Sequence, residues 1–169
     1  MLEIYRPFVE NTAVSFETEV PSLEAFTQRV EAYASAAPWL VAMQGDELVG
    51  YAYATAHRSR GAYRWSQETT VYVHPNQRKK GIARSLYSKL LTLLKFSGYK
   101  NALGVITLPN EASLALHQKM GFVHLGEMPD IGYKLGTWHT TSWWSLNLQE
   151  EGFVPGEIKS VESIRHLLG

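Results

Sequence analysis

Cysteine is missing altogether from these 169 residues. That excludes disulfides, thiolate nucleophiles and cysteine-based metal sites, and it fits a reducing, cytoplasmic setting. No apolar run approaches the ~20 residues that a bilayer-spanning helix needs. The opening Met1-Leu2-Glu3-Ile4-Tyr5-Arg6-Pro7 has no basic region followed by an apolar core, so a signal peptide is not expected. An excess of one charge is lacking too: sixteen Lys and Arg face sixteen Asp and Glu. No global field therefore draws the chain to nucleic acid or anionic lipid, and a nucleic-acid reading rests on one local cluster, Arg78, Lys79, Lys80 and Arg84. Internal repeats, low-complexity stretches and metal-type spacings of histidine with carboxylates are absent as well. What is present, 45% hydrophobic and 12% aromatic residues, suits one domain with a proper core.

Hydrophobic spacing predicts a helix over 22–35, with Leu23, Phe26, Val30 and Tyr33 on its stripe. Residues 39–44 and 48–55 flank Gly45-Asp46-Glu47 as a hairpin, and 58–64 read as a loop. A strand is expected over 68–74. The clearest helix covers 81–96, carrying Ile82, Leu86, Leu90 and Leu93/Leu94 on one face and stopping at Gly98. A strand over 102–107, a short helix over 110–120 opened by Asn110, and strands over 122–127 and 142–148 complete the pattern. Strand, helix, strand, helix, strand implies an α/β (α+β) domain with parallel neighbours in its middle. In the tail, 153–161 read as a further strand and 160–168 as a short helix with Ile164, Leu167 and Leu168 on its apolar side.

The chemistry concentrates in Val71-Tyr72-Val73-His74-Pro75-Asn76-Gln77-Arg78-Lys79-Lys80-Gly81-Ile82-Ala83-Arg84. A strand ends, a basic and amide-rich loop follows, and a long helix begins. The first N–H groups of a helix lack internal partners and carry the positive end of its dipole, which makes an anion site. Small residues at 81 and 83 let a phosphate approach the backbone, and Arg78, Lys80 and Arg84 add charge. The stretch matches neither a nucleotide P-loop nor a dinucleotide fingerprint.

Arg78-Lys79-Lys80-Gly81-Ile82-Ala83 does resemble the Arg/Gln-x-x-Gly-x-Gly/Ala signature of the GNAT acetyltransferases, and Asn110 to Phe122 resembles that family's second block. Within the superfamily the chain is most similar to the phosphinothricin and methionine sulfoximine acetyltransferases, through Asn11 to Glu19, Ala62 to Val73 and Gly132 to His139. The resemblance covers roughly residues 2–148. It implies a mixed sheet whose splayed parallel strands hold acetyl-CoA, a small amine acceptor, no metal, and a homodimer. The backbone at Val71, Tyr72 and Val73 would then bind the pantetheine arm. Arg78, Lys79, Lys80, Gly81, Ile82, Ala83, Arg84 and Ser85 would hold the pyrophosphate, and Asn110 and Ser113 would touch the CoA further along. For Asn110 a simple helix cap explains the residue equally well.

Glu68 occupies the position of the family's general base, which the reaction needs because only a neutral amine attacks a thioester. His117 lies where many members carry a tyrosine near the sulfur, and an imidazole there can give a proton to the departing thiolate; a structural histidine on a half-buried helix is the plain alternative. The same similarity points to Phe16, Arg60, Tyr63, Thr70 and Tyr72 for the acceptor, with Arg60 as a guanidinium anchor for a carboxylate or phosphinate. The tyrosines serve equally well as core. His74 and His139 read as loop residues with no chemistry.

Relatives of this kind begin with an edge strand ahead of the point where the match starts. The expectation is therefore a domain over 1–149 and an extension over 150–169 that supplies the missing strand, in cis or by exchange with a second chain. Two other functions compete: acetylation of a peptide or protein N-terminus, for which an open groove would argue, and a non-catalytic acyl-CoA sensor.

Overall fold

The computed structural model describes residues 1–168. Helices α1 (Leu2–Asn11) and α2 (Leu23–Ala36) come first. The strands are β1 (Trp39–Gln44), β2 (Glu47–Ala56), β3 (Ser66–Val73), β4 (Asn101–Thr107), β5 (Val123–Lys134) and β6 (Thr137–Asn147). Helix α3 (Ile82–Ser97) links β3 to β4, α4 (Glu111–Lys119) links β4 to β5, and α5 (Val161–Ile164) lies in the tail. One six-stranded sheet has the order β1-β2-β3-β4-β6-β5. Only β3 and β4 run parallel; every other pair is antiparallel.

Side chains alternate across a strand, so β2 and β3 feed two cores at once. On one face Ala52, Ala54 and Ala102 lie under α3, whose Leu86, Tyr87, Leu90 and Leu94 are buried. Leu90 and Leu94 expose no surface, and burial of that kind stabilises by roughly 1.5–3 kcal/mol per side chain. On the other face Tyr51 and Tyr72 meet Ile4, Tyr5, Phe8 and Val9 of α1 and Phe26 of α2. Helix α3 stops at Gly98, whose φ of 95° suits a glycine and whose N–H bonds Leu94 and Lys95 carbonyls.

The three helices expected before the tail and the first hairpin form within a residue or two of their expected ends. The second hairpin is much longer than the 122–127 and 142–148 segments, because β5 is exposed on both faces for most of its length and so lacks the alternation that marks a strand. Leu135 and Gly136 close it with φ of 52° and 80°, the two positive values of a mirror-image hairpin turn. His139 accordingly sits in β6 rather than in a loop.

The tail differs from expectation. Residues 153–160 form no strand, and the sheet of this chain ends at β1 without a strand from the tail. Pro155 has no N–H to give a ladder. The segment instead straps the end of α3: Lys159 N donates to Ser97 O at 2.9 Å, Trp65 Nε1 donates to Gly156 O at 3.1 Å, and Ile158 joins the core. The short helix expected after it is one α-helical turn with Ile164 buried, followed by a 3₁₀ turn in which Leu167 is exposed. The Leu168 side chain and Gly169 lie outside the described residues.

Candidate active site

Strands β3 and β4 pair through only three positions, Ser66↔Asn101, Gln67↔Ala102 and Glu68↔Leu103, and then part. Beyond Glu68 the β4-facing edge of β3 has no strand beside it, so its main-chain groups, apart from the Thr69 carbonyl that Tyr87 holds, are open to an extended ligand. A cavity of about 130 Å³ occupies the opening, between Thr69 to Tyr72 on one side and Val105 to Thr107 on the other. Val71 and Val73 turn their main-chain groups to this open edge, whereas Tyr72, in step with the bonded pairs His57–Ser66 and Val49–His74, turns its own toward Tyr51 of β2. A larger open groove of about 680 Å³ lies elsewhere, where the start of α1 meets the start of α2; it holds none of the expected site residues.

At the far end of β3 the chain turns into α3. Gly81 takes a left-handed φ of 80° as the N-cap and offers no side chain, which leaves the N–H groups of Ile82, Ala83 and Arg84 bare for an anion. Ser85 N already bonds Gly81 O at 3.0 Å. Lys79 is also left-handed, with φ of 62°, a conformation that costs a non-glycine residue on the order of 1 kcal/mol. Lys80 Nζ donates to Gln77 Oε1 at 2.6 Å, while the Arg78 guanidinium lies over the Phe8 ring at 5.5 Å. Asn110 caps α4 by accepting from Ser113 N at 3.2 Å, and both residues line the cavity. Cap and cavity wall are compatible roles for it.

The two residues singled out for proton transfer lie on opposite faces of the sheet. His117, on α4, is buried under Gly104 so closely that a Cβ there would stand 2.5 Å from Nε2. Its Nδ1 donates to Ser113 O at 2.8 Å, and its Nε2 faces Tyr87 Oη at 3.2 Å. Tyr87 in turn donates to Thr69 O at 2.9 Å. Burial pulls the His117 imidazole below its ordinary value, against the raising effect of the Ser113 carbonyl. Burial pushes the Tyr87 phenol up, against its bond to Thr69. Both groups are therefore neutral near pH 7. Tyr87 was not singled out from the sequence; it stands beside the predicted stripe of Ile82, Leu86, Leu90 and Leu93/Leu94 and carries no motif of its own.

On the other face Glu68 Oε1 accepts from His57 Nδ1 at 2.7 Å. His57 also escaped the sequence reading. The hairpin register Thr55↔Glu68 and Ala56↔Gln67 carries the signal: continued by one step it puts His57 opposite Ser66 and diagonal to Glu68 on the same face. The His57 ring is held edge-on by Tyr63 at 5.6 Å and Trp143 at 6.1 Å.

Among the expected acceptor residues, Thr70 follows Glu68 on this face and Tyr63 packs on His57. Phe16 is half-exposed on the loop after α1, its ring over Gly132, where a Cβ would collide with it. Lys134, buried in β5, donates to Ser15 O at 2.7 Å and anchors the same loop; burial depresses its ammonium, with Glu17 acting the other way. Tyr72 borders the cavity, but its ring is packed among Tyr5, Phe8 and Tyr51 as core. Arg60 is exposed on the β2–β3 loop, where its carbonyl accepts from Tyr63 N. Burial pushes the Tyr53 phenol on this face up to about 12, with Thr70 lowering it. His74 caps the 3₁₀ turn after β3, and His139 Nε2 bonds the Lys134 carbonyl. Among the described residues no group of three His, Asp or Glu could hold a metal ion, and no helix is long and apolar enough to cross a membrane.

Residues 1–143 match the family described as an acetyltransferase (GNAT) domain. The chain belongs to the GNAT acetyltransferases. It is similar to the phosphinothricin N-acetyltransferase of Streptomyces viridochromogenes, 33% identical over 147 residues that span 87% of this chain and 80% of that protein. It is likewise similar to the L-methionine sulfoximine/L-methionine sulfone acetyltransferase of Pseudomonas aeruginosa, 33% identical over 161 residues, 92% of this chain and 91% of the relative. Among solved structures, a phosphinothricin acetyltransferase from Sinorhizobium meliloti in complex with acetyl-CoA superposes with a TM-score of 0.89 at 34% identity, over 92% of this chain and 86% of that one. This GNAT chain is an acetyl-CoA-dependent N-acetyltransferase, and its bare α3 N-terminus and open β3 edge fit a diphosphate and an amide-bearing arm.

Proposed function

We propose that this acetyltransferase moves acetyl to the amine of a phosphinothricin, methionine sulfoximine or methionine sulfone type of acceptor, by direct attack within a ternary complex. The observation that carries the reading is the strand gap with a proton-handling group on each side: Glu68 on the face of Thr70, and His117 with Tyr87 on the face of α3. The CoA arm lies along Val71 to Val73, its diphosphate meets Arg78 to Ser85, and Asn110 and Ser113 border its path. Glu68 belongs to the site that accepts the amine proton. With Nδ1 donating to Ser113 O, the neutral His117 holds only a lone pair at Nε2, so the proton for the departing sulfur comes from the Tyr87 hydroxyl, which His117 helps to orient. Phe16, Tyr63, Thr70 and Tyr72 shape the acceptor end, and Arg60 supplies a cation for its acidic head. The loop carrying Phe16 is tied down at Lys134 and its ring packs on Gly132, and on this reading it walls the acceptor end, which favours a small acceptor.

Thiol release from acetyl-CoA with methionine sulfoximine tests this. Turnover by the wild type that falls about 10²–10⁴-fold in Glu68→Gln, with acetyl-CoA binding intact, is expected. Absence of turnover in the wild type despite tight acetyl-CoA binding would discard this acceptor class.

The same reading makes 1–149 the catalytic domain and 150–169 an extension, in a cytoplasmic homodimer. Exposed apolar side chains along β5 and β6, among them Leu125, Ile131, Tyr133, Leu135 and Trp138, favour contact with a second copy. Sedimentation as a single 19.1 kDa species would overturn the dimer.

A further inference from the structure

Glu68, on the face of the sheet that Thr70 shares, has a partner already in place. A carboxylate only accepts hydrogen bonds, so the 2.7 Å contact makes His57 Nδ1 the donor. That fixes the tautomer and leaves Nε2 with the basic lone pair. Among the described residues Nε2 has no protein partner. The ring is held from two sides, by Tyr63 at an interplanar angle of 76° and by Trp143 at 79°. Its backbone N bonds Ser66 O at 3.3 Å, which extends the β2–β3 ladder to this position. By alternation His57, Glu68 and Thr70 share one face of the sheet, at the point where β3 and β4 part. The guanidinium of Arg58, the residue after His57, lies over Tyr63 at 5.5 Å. The arrangement is a carboxylate–imidazole pair with its free nitrogen unclaimed.

We propose that His57 takes the proton of the acceptor amine at Nε2, while Glu68 positions the ring and balances the imidazolium charge. The proposal rests on the acetyl-transfer reading above. As side-chain types, a free imidazole (about 6.5) is a much stronger base than a free carboxylate (about 4.3), and it is better matched to an ammonium donor near neutral pH. The acceptor ammonium gives one proton to Nε2 and becomes the nucleophile. Its nitrogen then bonds the acetyl carbon as the C–S bond breaks. The second proton lost from the nascent amide balances the one gained by the departing sulfur. The proton on His57 is the one released to solvent, and the half-exposed Glu68 beside it leaves a way out.

Two substitutions in the intact chain separate the roles, each assayed beside acetyl-CoA affinity. His57→Ala removes base and donor together. His57→Asn keeps an amide N–H near the Nδ1 position, able to hold Glu68. Both are expected to lose about 10²–10⁴-fold in kcat/KM with unchanged acetyl-CoA affinity. Added imidazole should restore part of the rate to His57→Ala and none to Glu68→Gln. Wild-type turnover in His57→Asn would overturn the proposal alone, leaving Glu68 as the direct base and His57 as its strut. No transfer to any amine by the wild type would overturn both the proposal and the reading on which it rests.

Discussion

His57 and His117 flank the same strand gap from opposite faces, and their surroundings are opposite in kind. His57 bonds a half-exposed carboxylate. His117 is buried, and its partners are a carbonyl, a hydroxyl and the aromatic rings of Tyr87 and Phe122. The chemistry asks for that asymmetry. An ammonium must lose a proton before it can attack, and the proton must then leave the site. A thiol of ordinary acidity, about 8.5, departs as a thiolate at modest cost, so the sulfur side needs only a nearby neutral donor. Charge is tolerated where protons are removed and excluded where one is lent.

The strongest way to break the comparison is to disturb one histidine and leave the other untouched. In Gly104→Ala the new Cβ would meet His117 Nε2 at 2.5 Å and Cδ2 at 2.6 Å. Packed against Tyr87 and Phe122, the ring has little room to yield. Overpacking of this kind costs about 1–3 kcal/mol, and each kcal/mol lowers Tm by about 2–4 °C in a chain of this size. Gly156→Ala, which meets nothing within 4 Å, is the control. Equal melting temperatures for the two variants would show that His117 is not clamped.

A smaller effect is expected from Tyr87→Phe. The variant loses the bond to the Thr69 carbonyl and the contact with His117, a stability cost of about 1 kcal/mol. Turnover should fall about tenfold, less than the 10²–10⁴-fold expected when an obligatory proton transfer is lost. Steady-state rates beside those of Glu68→Gln decide it: a larger loss in Tyr87→Phe would invert the ranking of the two faces.

Much of this arrangement was legible in the chain itself. The leucine stripe of α3, Gly81 before it and Gly98 after it are local signals, and local signals survive folding. Glu68 and His117 were found through motif blocks that carry their own spacing. Their partners were harder to see, because each partnership crosses elements. Tyr87 lies next to the predicted stripe and not on it, and helical periodicity says nothing of the histidine it meets on another element. His57 meets Glu68 only when the hairpin register is carried one step past the strand end. The long β5–β6 hairpin was underestimated for a related reason: a strand exposed on both faces has no alternation, and Leu135-Gly136 is not the usual Asn-Gly turn. The tail misled in the other direction. Its strand-like composition is real, but Ile164 is buried and Ile158 packs partly buried against the core within this chain, and Pro155 interrupts any ladder.

The smallest effect concerns acid stability. Burial lowers the His117 value below the 6.5 of an unperturbed imidazole, so the folded state refuses a proton that the unfolded chain accepts. Stability on this account is complete above 6.5 and declines as pH falls from there toward the lower folded value, by at most about 1.4 kcal/mol per pH unit. Below the folded value the loss stops growing, because both states then carry the proton. Urea midpoints measured from pH 7.5 to 4.5 should show a shallower acid slope in His117→Asn than in the wild type, whatever the offset between the two curves. Comparing slopes removes the packing cost of the substitution, which does not depend on pH. Parallel curves through this range would mean that His117 takes up its proton as readily in the folded chain as in the unfolded one. The neutral, enclosed half of the comparison would then have to be abandoned.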